Sequence, residues 1–384
     1  MSKWTISVSI CDVLILFGVF TGVTFAALLF FSKRVHQTAN RCLGLALLTL
    51  ASWLCWVLGV DTDFNRYAPL WSWVPLQYSL TLGPLIWLYV QLLTSTRPVF
   101  HKKYWWHFSP FLIEQGVFVA ELMQAYHKRI ATYDTALFWQ LNPVLQLLGL
   151  ISVLTYLLLS IRSLNQYHQR LADQFSDTDR YQFRRLKRLL AAFGLIWILW
   201  IPYFFIDFFL FNYHLSISAY YPLYLLLAGT ACWLGIEAFL RPEYILAEIS
   251  PEKVIVPAAE KEIPTDELLQ RITWLRAQVE ENLLYMNAGL TLRDLGEFLA
   301  IHPNELSYLI NTGTGKNFND FINTYRVEEV QRRIIDPTFD HITLLGIAYD
   351  CGFNSKTTFN RTFKQITGKS PAASRIIPKT ATIL

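Results

Sequence analysis

The sequence predicts an all-α protein in two parts: a seven-helix transmembrane bundle, then a domain of two helix-turn-helix subdomains joined by a long helix. Three observations carry this. Hydrophobic residues make up 53% of the 384 and charged residues 16%, against about 25% charged in a soluble globular chain. The apolar residues gather in the first 240 positions, in stretches long enough to cross a bilayer. Between 291 and 376 one pattern occurs twice: Thr291, Leu292, Leu295 and Leu299 return as Thr343, Leu344, Ile347 and Cys351, an offset of 52. Thr314-Gly315-Lys316 returns as Thr367-Gly368-Lys369, an offset of 53, and the odd residue is expected in a turn, where insertion is cheap.

The expected boundaries are 1–240 for the bundle, 241–264 for a cytoplasmic linker and 265–384 for the second domain, with helix-turn-helix units near 291–311 and 343–364. Seven stretches reach the roughly 20 residues a spanning helix needs: 6–31, 42–60, 70–93, 105–123, 137–161, 189–211 and 217–240. The first is too long for the apolar core of a signal peptide and is read as an uncleaved span. One set of connections holds Lys33, Arg34, Arg41, Arg97, Lys102, Lys103, Arg162, Arg170, Arg180, Arg184, Arg185, Lys187 and Arg188; the other holds only Lys3, Arg66, Lys128 and Arg129. Basic connections stay in the cytoplasm, so the N-terminus is expected outside and the C-terminal domain inside.

Within the apolar stretches lie Glu114, Glu121, Asp207 and Glu237, with Asp12 near the end of the first. Charge in hydrocarbon is costly, so such acids face a bundle interior or an aqueous cavity. Two readings stand: a ligand or signal site, or structural carboxyls bonded to neighbouring helices. Gly18, Gly22 and Ala26 form a small-residue stripe that lets helices approach closely. Pro84, Pro110, Pro143 and Pro202 fall in or near spans. The five cysteines show no C-x-x-C spacing, which points to neither a disulfide framework nor a zinc site.

Beyond Pro264, Leu268, Ile272, Leu275 and Val279 form an apolar stripe. Its two readings are a short coiled coil between two copies of the chain and packing on the adjacent domain. Thr291 and Asp294 begin the first unit as a capping box. Ala300-Ile301-His302 makes its turn, and the next helix starts at Pro303, a favoured first helical residue. On that helix Leu306, Leu309 and Ile310 point inward, while Asn304, Ser307, Tyr308 and Asn311 share the opposite face, suited to a major groove. From about Asn317 to Ile334 runs the connector, with Phe318, Ile322 and Tyr325 on one side and Val327, Val330 and Ile334 on another. In the second unit Gly352 marks the turn, Asn354 or Ser355 caps the helix, and Phe359 and Phe363 face inward. Lys356, Thr357, Asn360, Arg361 and Lys364 remain outside, and such side chains pair with guanine and adenine edges. Lys316, Lys369 and Arg375 are candidate phosphate contacts, and Glu305 is expected to turn sideways to a basic neighbour.

Residues from about 265 to 376 resemble the DNA-binding domain of the AraC/XylS family. The resemblance rests on LTLRDLGEFLAIHPNELSYLIN at 290–311, NFNDFINTYRVEEVQRRI at 317–334 and ITLLGIAYDCGFNSKTTFNRTFKQITGKSPAASR at 342–375. It implies DNA contacts at His302, Asn304, Ser307 and Tyr308 in the first unit and at Lys356, Thr357, Thr358, Asn360 and Arg361 in the second. It also implies a bacterial transcription regulator on promoter DNA, with dimerisation and RNA polymerase as possible partners. Placed in the bacterial cytoplasmic membrane, the chain is expected to be a one-component regulator whose bundle, surrounded by lipid, senses a small-molecule ligand. The alternative is a transporter or channel with a cytoplasmic docking domain. No P-loop, dinucleotide fingerprint, H-E-x-x-H or kinase motif set occurs, so no enzyme, cofactor or metal site is expected.

Overall fold

The structure, a computed structural model, describes residues 8–32, 36–64, 67–95, 100–131, 135–178, 184–240 and 265–374. Its regular elements among these residues are all helices, and the chain divides into two compact units. The first is Met1–Asn165 with Phe183–Ile249, and the second is Gln166–Gln182 with Ser250–Leu384. The expected linker at 241–264 lies outside the described residues.

The first unit holds α1 (Ile10–Phe31), α2 (Gln37–Asp61), α3 (Ser79–Leu93), α4 (Ser109–Lys128), the larger part of α5 (Ala136–Gln174), α6 (Arg184–Leu210) and α7 (Tyr221–Leu240). Among the described residues, five helices are long and apolar enough to cross a membrane: Ile10–Phe31, Gln37–Asp61, Ala136–Gln174, Leu186–Leu210 and Ile217–Leu240. This corrects the expectation of seven. In the stretch 70–93, a short 3-10 turn at Pro69–Trp73 comes first, and α3 then has only 15 residues. At 1.5 Å per residue that is about 22 Å, short of a roughly 30 Å hydrocarbon core. In the stretch 105–123, Lys102–Phe108 is another 3-10 turn. The 20 residues of α4 are then interrupted by Glu114, Gln115, Glu121 and Gln124. Trp71, Trp73, Trp105 and Trp106 lie in these turns, ahead of the helices proper.

The small-residue stripe on α1 works inside this bundle. A Cβ on Gly18 would come within 2.4 Å of the Cβ of Ala228 on α7, and one on Gly22 within 3.3 Å of the Cβ of Ala51 on α2. Ala26 is buried and its carbonyl lies over Gly44. Close backbone approach lets the helices gain dispersion contacts. Pro84, Pro143 and Pro202 sit inside α3, α5 and α6, whereas Pro110 is in the first turn of α4, where its missing N–H costs nothing.

The second unit contains α8 (Thr265–Glu281), α9 (Leu292–Leu299), α10 (Pro303–Thr314), α11 (Phe318–Ile335), α12 (Leu344–Asp350), α13 (Lys356–Thr367) and α14 (Pro371–Ser374). It has two cores. Ile272, Leu275 and Val279 of α8 join Leu295, Leu306, Ile310, Phe318 and Ile322 in the first. The stripe on α8 therefore packs on its own domain, and the coiled-coil alternative is not what the fold uses. Val327, Val330 and Ile334 join Ile347, Cys351, Phe359 and Phe363 in the second. The two stripes of α11 thus serve one core each, and this 18-residue connector spans about 27 Å.

Candidate nucleic-acid interface

The two helix-turn-helix units share their turn and helix-end hydrogen bonds. Thr291 and Asp294 close a capping box on α9, and Thr343 accepts from the Gly346 amide at the start of α12. At the turns, Ile301 N–H donates to the Gly296 carbonyl at 2.9 Å, and Phe353 N–H to the Ala348 carbonyl at 3.0 Å. Ala300 and Gly352 are equivalent left-handed residues, with φ of 54° and 92°. At the helix ends, Thr314 donates to the Ile310 carbonyl and Thr367 to the Phe363 carbonyl, both at 2.7 Å. The caps of the reading helices, His302 and Ser355, are 53 apart while the turn residues are 52 apart, so the extra residue is in the turn, at Phe353-Asn354.

This register pairs the outward faces. Asn304, Ser307, Tyr308 and Asn311 on α10 correspond to Thr357, Asn360, Arg361 and Lys364 on α13. Those on α10 are exposed or half-buried and those on α13 are all exposed, as is Lys356. His302 is exposed at the N-cap, where its Nδ1 accepts from the Asn304 amide at 3.3 Å. Asn311 donates to the Ser307 hydroxyl at 3.3 Å, which lines up two polar groups along the face. Thr358 departs from the expected set. It is 4% exposed, and its hydroxyl lies 2.8 Å from that of Ser355, so it closes the helix start instead of facing outward. Glu305 pairs with Arg271 of α8 at 2.9 Å, the sideways orientation. Lys316 and Lys369 are exposed, and Arg375 lies outside the described residues.

Sequence reasoning missed Arg326, the group that ties this unit together. Its side chain is 1% exposed at the middle of α11. All five of its N–H donors are used. Nε donates to the Tyr285 carbonyl at 2.7 Å, Nη1 to the Asn323 side chain at 3.2 Å and the Ser176 carbonyl at 3.3 Å, and Nη2 to the Asn287 carbonyl at 2.8 Å and the Ser176 hydroxyl at 3.0 Å. Burial lowers its pKa to about 10, opposed by the charge of Asp177, so at neutral pH the guanidinium stays charged and needs these acceptors. Gly352 presses against the same group: a Cβ there would meet the Tyr285 carbonyl at 2.6 Å and Arg326 Nε at 2.9 Å. The second turn is thus locked to the first subdomain.

Ser176 comes from the segment that follows α5, more than a hundred residues upstream. Phe175 forms an isolated antiparallel bridge with Thr291, Ser176 N–H donates to the Leu290 carbonyl at 3.2 Å, and its hydroxyl donates to the same carbonyl at 2.6 Å. Asn319 holds the Ser176 carbonyl at 2.8 Å and Asn323 at 3.4 Å. Phe175, Ser176 and Thr178 are all buried. The signal available in the sequence was the row Asn319, Asn323 and Arg326 at i, i+4 and i+7, a polar stripe between the two apolar ones on α11.

The four acids of the apolar stretches separate. Glu114 accepts from the Ser79 amide at 2.8 Å, the Ser79 hydroxyl at 2.7 Å and the Leu80 amide at 3.2 Å, capping α3. Glu121 lines one small cavity together with Glu114. Asp207 accepts from the Leu215 amide at 2.8 Å and the Tyr220 hydroxyl at 2.7 Å, fixing the turn after α6. Glu237 is half-buried in the last turn of α7, and neither it nor Asp207 lines that cavity. Asp12 closes a capping box with Ser9 at the start of α1.

Residues 295–375 match the model of a helix-turn-helix domain family. Similar proteins include uncharacterized HTH-type transcriptional regulators from Staphylococcus aureus strains COL, MSSA476 and N315. Each is 33% identical over 92 residues, which is 24% of this chain and 12% of the relative. The chain thus spans about an eighth of the length of these relatives. No solved structure matches it.

Proposed function

We propose that the chain is a membrane-embedded, AraC-type transcription regulator that reads DNA sequence through α10 and α13. The observation that carries this reading is the repeat in register: two equivalent helices present polar, hydrogen-bonding faces, and Lys356, Arg361 and Lys364 on the second add positive charge. A base edge needs such donors and acceptors, and a phosphate backbone needs the cations. The connector's length of about 27 Å suits two heads set near one DNA turn apart, roughly 34 Å.

The five long apolar helices support embedding. The correction in span count weakens the sidedness argument but keeps its direction. Without α3 and α4 as crossings the α5–α6 connection keeps its side, but Arg97, Lys102 and Lys103 pass to the outer set, so thirteen against four becomes ten against seven. Basic residues then still hold the α5–α6 connection and the C-terminal unit in the cytoplasm. The role is one of binding, with promoter DNA as the partner and no reaction assigned.

Coupling to the bundle is assigned to the segment 175–178. It continues α5, the longest apolar helix, and its backbone is bonded to α11 and to the start of α9. A shift in α5 therefore changes the hydrogen bonds available to Arg326, the group that locks the two reading subdomains. A signal acts this way only if it has different affinity for the two arrangements. The test is selection from random DNA by the full chain in lipid nanodiscs. A common motif with two half-sites about one helical turn apart is expected; recovery of unrelated sequences at moderate salt sinks the reading.

A further inference from the structure

A small cavity lies in the first unit between α2, α3, α4 and α5, with a volume of about 40 Å³. That is room for one species the size of a water molecule. Glu121 lines it, is 7% exposed, and makes no hydrogen bond or ion pair with any described residue. The second carboxylate, Glu114, is different: its three bonds to Ser79 and Leu80 place it on the N-terminus of α3, where the helix dipole offsets its charge. Among the lining residues there is no Lys, Arg or His. Three side-chain amides do line it, those of Gln77, Asn142 and Gln146. Trp53 and Tyr78 form aromatic wall.

A carboxyl taken out of water without a partner either takes up a proton, as burial favours here, or is met by a counter-charge. Among the described residues none supplies that charge at the cavity, but oxygen-bearing groups surround a space of the right size. We infer that this cavity is a binding site for a small monovalent cation, no larger than ammonium. Glu121 is its counter-charge, and amide oxygens of Gln77 and Gln146 replace water around it, the Asn142 oxygen being taken by the Tyr213 hydroxyl at 3.2 Å. One uncompensated carboxylate matches one positive charge, and hard cations of this size take oxygen ligands. This deepens the sensing half of the proposed function by naming a ligand class, but the binding itself is read on the bundle and does not depend on DNA.

The experiment uses the full chain in nanodiscs at constant ionic strength, with sodium, potassium or ammonium chloride against N-methyl-D-glucamine chloride, whose cation is too large for the cavity. The thermal midpoint of the first unit, followed by tryptophan emission, is expected to rise saturably with at least one small cation and not with the large one. Glu121→Gln is expected to abolish the rise and to match or exceed the cation-free midpoint of the wild type, because it removes the unpaired charge. Gln146→Leu, which keeps the charge and removes one oxygen, is expected to raise the half-saturating concentration severalfold, and it stands in should Glu121→Gln not fold. Equal midpoints in all four salts, or a Glu121→Gln or Gln146→Leu protein that responds as the wild type does, overturns the proposal. DNA selection on the same samples separates the two readings: cation binding without selective DNA binding sinks the regulator alone, and selective DNA binding without a cation effect sinks the cavity alone.

Discussion

Arg326 on the connector helix and Ser176 after α5 share two hydrogen bonds, one to the serine carbonyl at 3.3 Å and one to its hydroxyl at 3.0 Å. The guanidinium also satisfies the Tyr285 and Asn287 carbonyls. Arg326→Ala leaves those buried acceptors without donors and is expected to destabilise the second unit by about 3 kcal/mol. Thermal unfolding of the full chain in detergent then shows a midpoint lowered by on the order of 10 °C. Arg326→Lys recovers only part of this, because a lysine ammonium cannot reproduce the planar five-donor fork. Ser176→Ala removes the hydroxyl alone and is expected to cost about 1–2 kcal/mol, with faster amide hydrogen exchange at Leu290 and Thr291. Unchanged exchange there would show that the segment does not hold the reader together.

The equivalent turn residues respond with opposite signs. Gly352 has φ of 92° and a Cβ there would lie 2.6 Å from the Tyr285 carbonyl, so Gly352→Ala meets both strain and a backbone clash. A loss of about 3 kcal/mol or more is expected. Ala300 already bears a side chain at φ of 54°, a conformation that costs an L-residue roughly 1–2 kcal/mol. Ala300→Gly relieves that strain, less the entropy a glycine adds to the unfolded chain, for a net gain of about 0.5 kcal/mol. Unfolding midpoints of the two variants check the signs, and a stabilised Gly352→Ala would contradict the geometry of the turn.

Cys351 sits in the second core, fully buried, and burial pushes its thiol from 9.0 up to about 12. Its thiolate is therefore absent at neutral pH, and N-ethylmaleimide is expected to modify it only in the unfolded chain. The sign for stability follows. Between pH 9 and about 12 the unfolded chain has lost a proton that the folded chain keeps, so stability falls as pH rises. Relative to Cys351→Ala, the wild type is expected to lose on the order of 1 kcal/mol between pH 9 and 10. Native-state labelling of Cys351 at pH 7, resolved by peptide mass spectrometry, would refute this.

The second unit was legible in the sequence because its signals are local. Thr291 and Asp294 are three apart, Gly315 and Gly368 stand one residue past their helices, and the stripes of α11 repeat every three or four positions. The bundle was less legible. An apolar stretch read by length runs through Pro69–Trp73 and Lys102–Phe108, which are 3-10 turns ahead of α3 and α4, and so overstates the helices that follow. Thr358 enters the site only through the family resemblance, and the helix-face reading leaves it out; it is buried, with its hydroxyl 2.8 Å from that of Ser355. The role of Arg326 was hidden for another reason. Its partner Ser176 is 150 residues away, and no periodicity links the two.

The burial of Thr358 supplies the sharpest test of the interface, because three neighbouring residues on one end of the domain should behave in three ways. Arg361 is exposed on the reading face of α13, so Arg361→Ala is expected to weaken binding to the selected DNA by about 1–3 kcal/mol and to relax preference at one base position. Lys369 is exposed just past the αL glycine that ends α13. Lys369→Ala is expected to weaken selected and unrelated DNA alike and to reduce the salt slope by about 0.9, one phosphate contact. Thr358 is buried, so Thr358→Val is expected to cost about 1 kcal/mol of fold stability and leave base preference unchanged. Binding measured across a salt series with selected and scrambled duplexes separates the three. A Thr358→Val protein with altered base preference would mean that α13 meets DNA through a face other than the one carrying Asn360, Arg361 and Lys364.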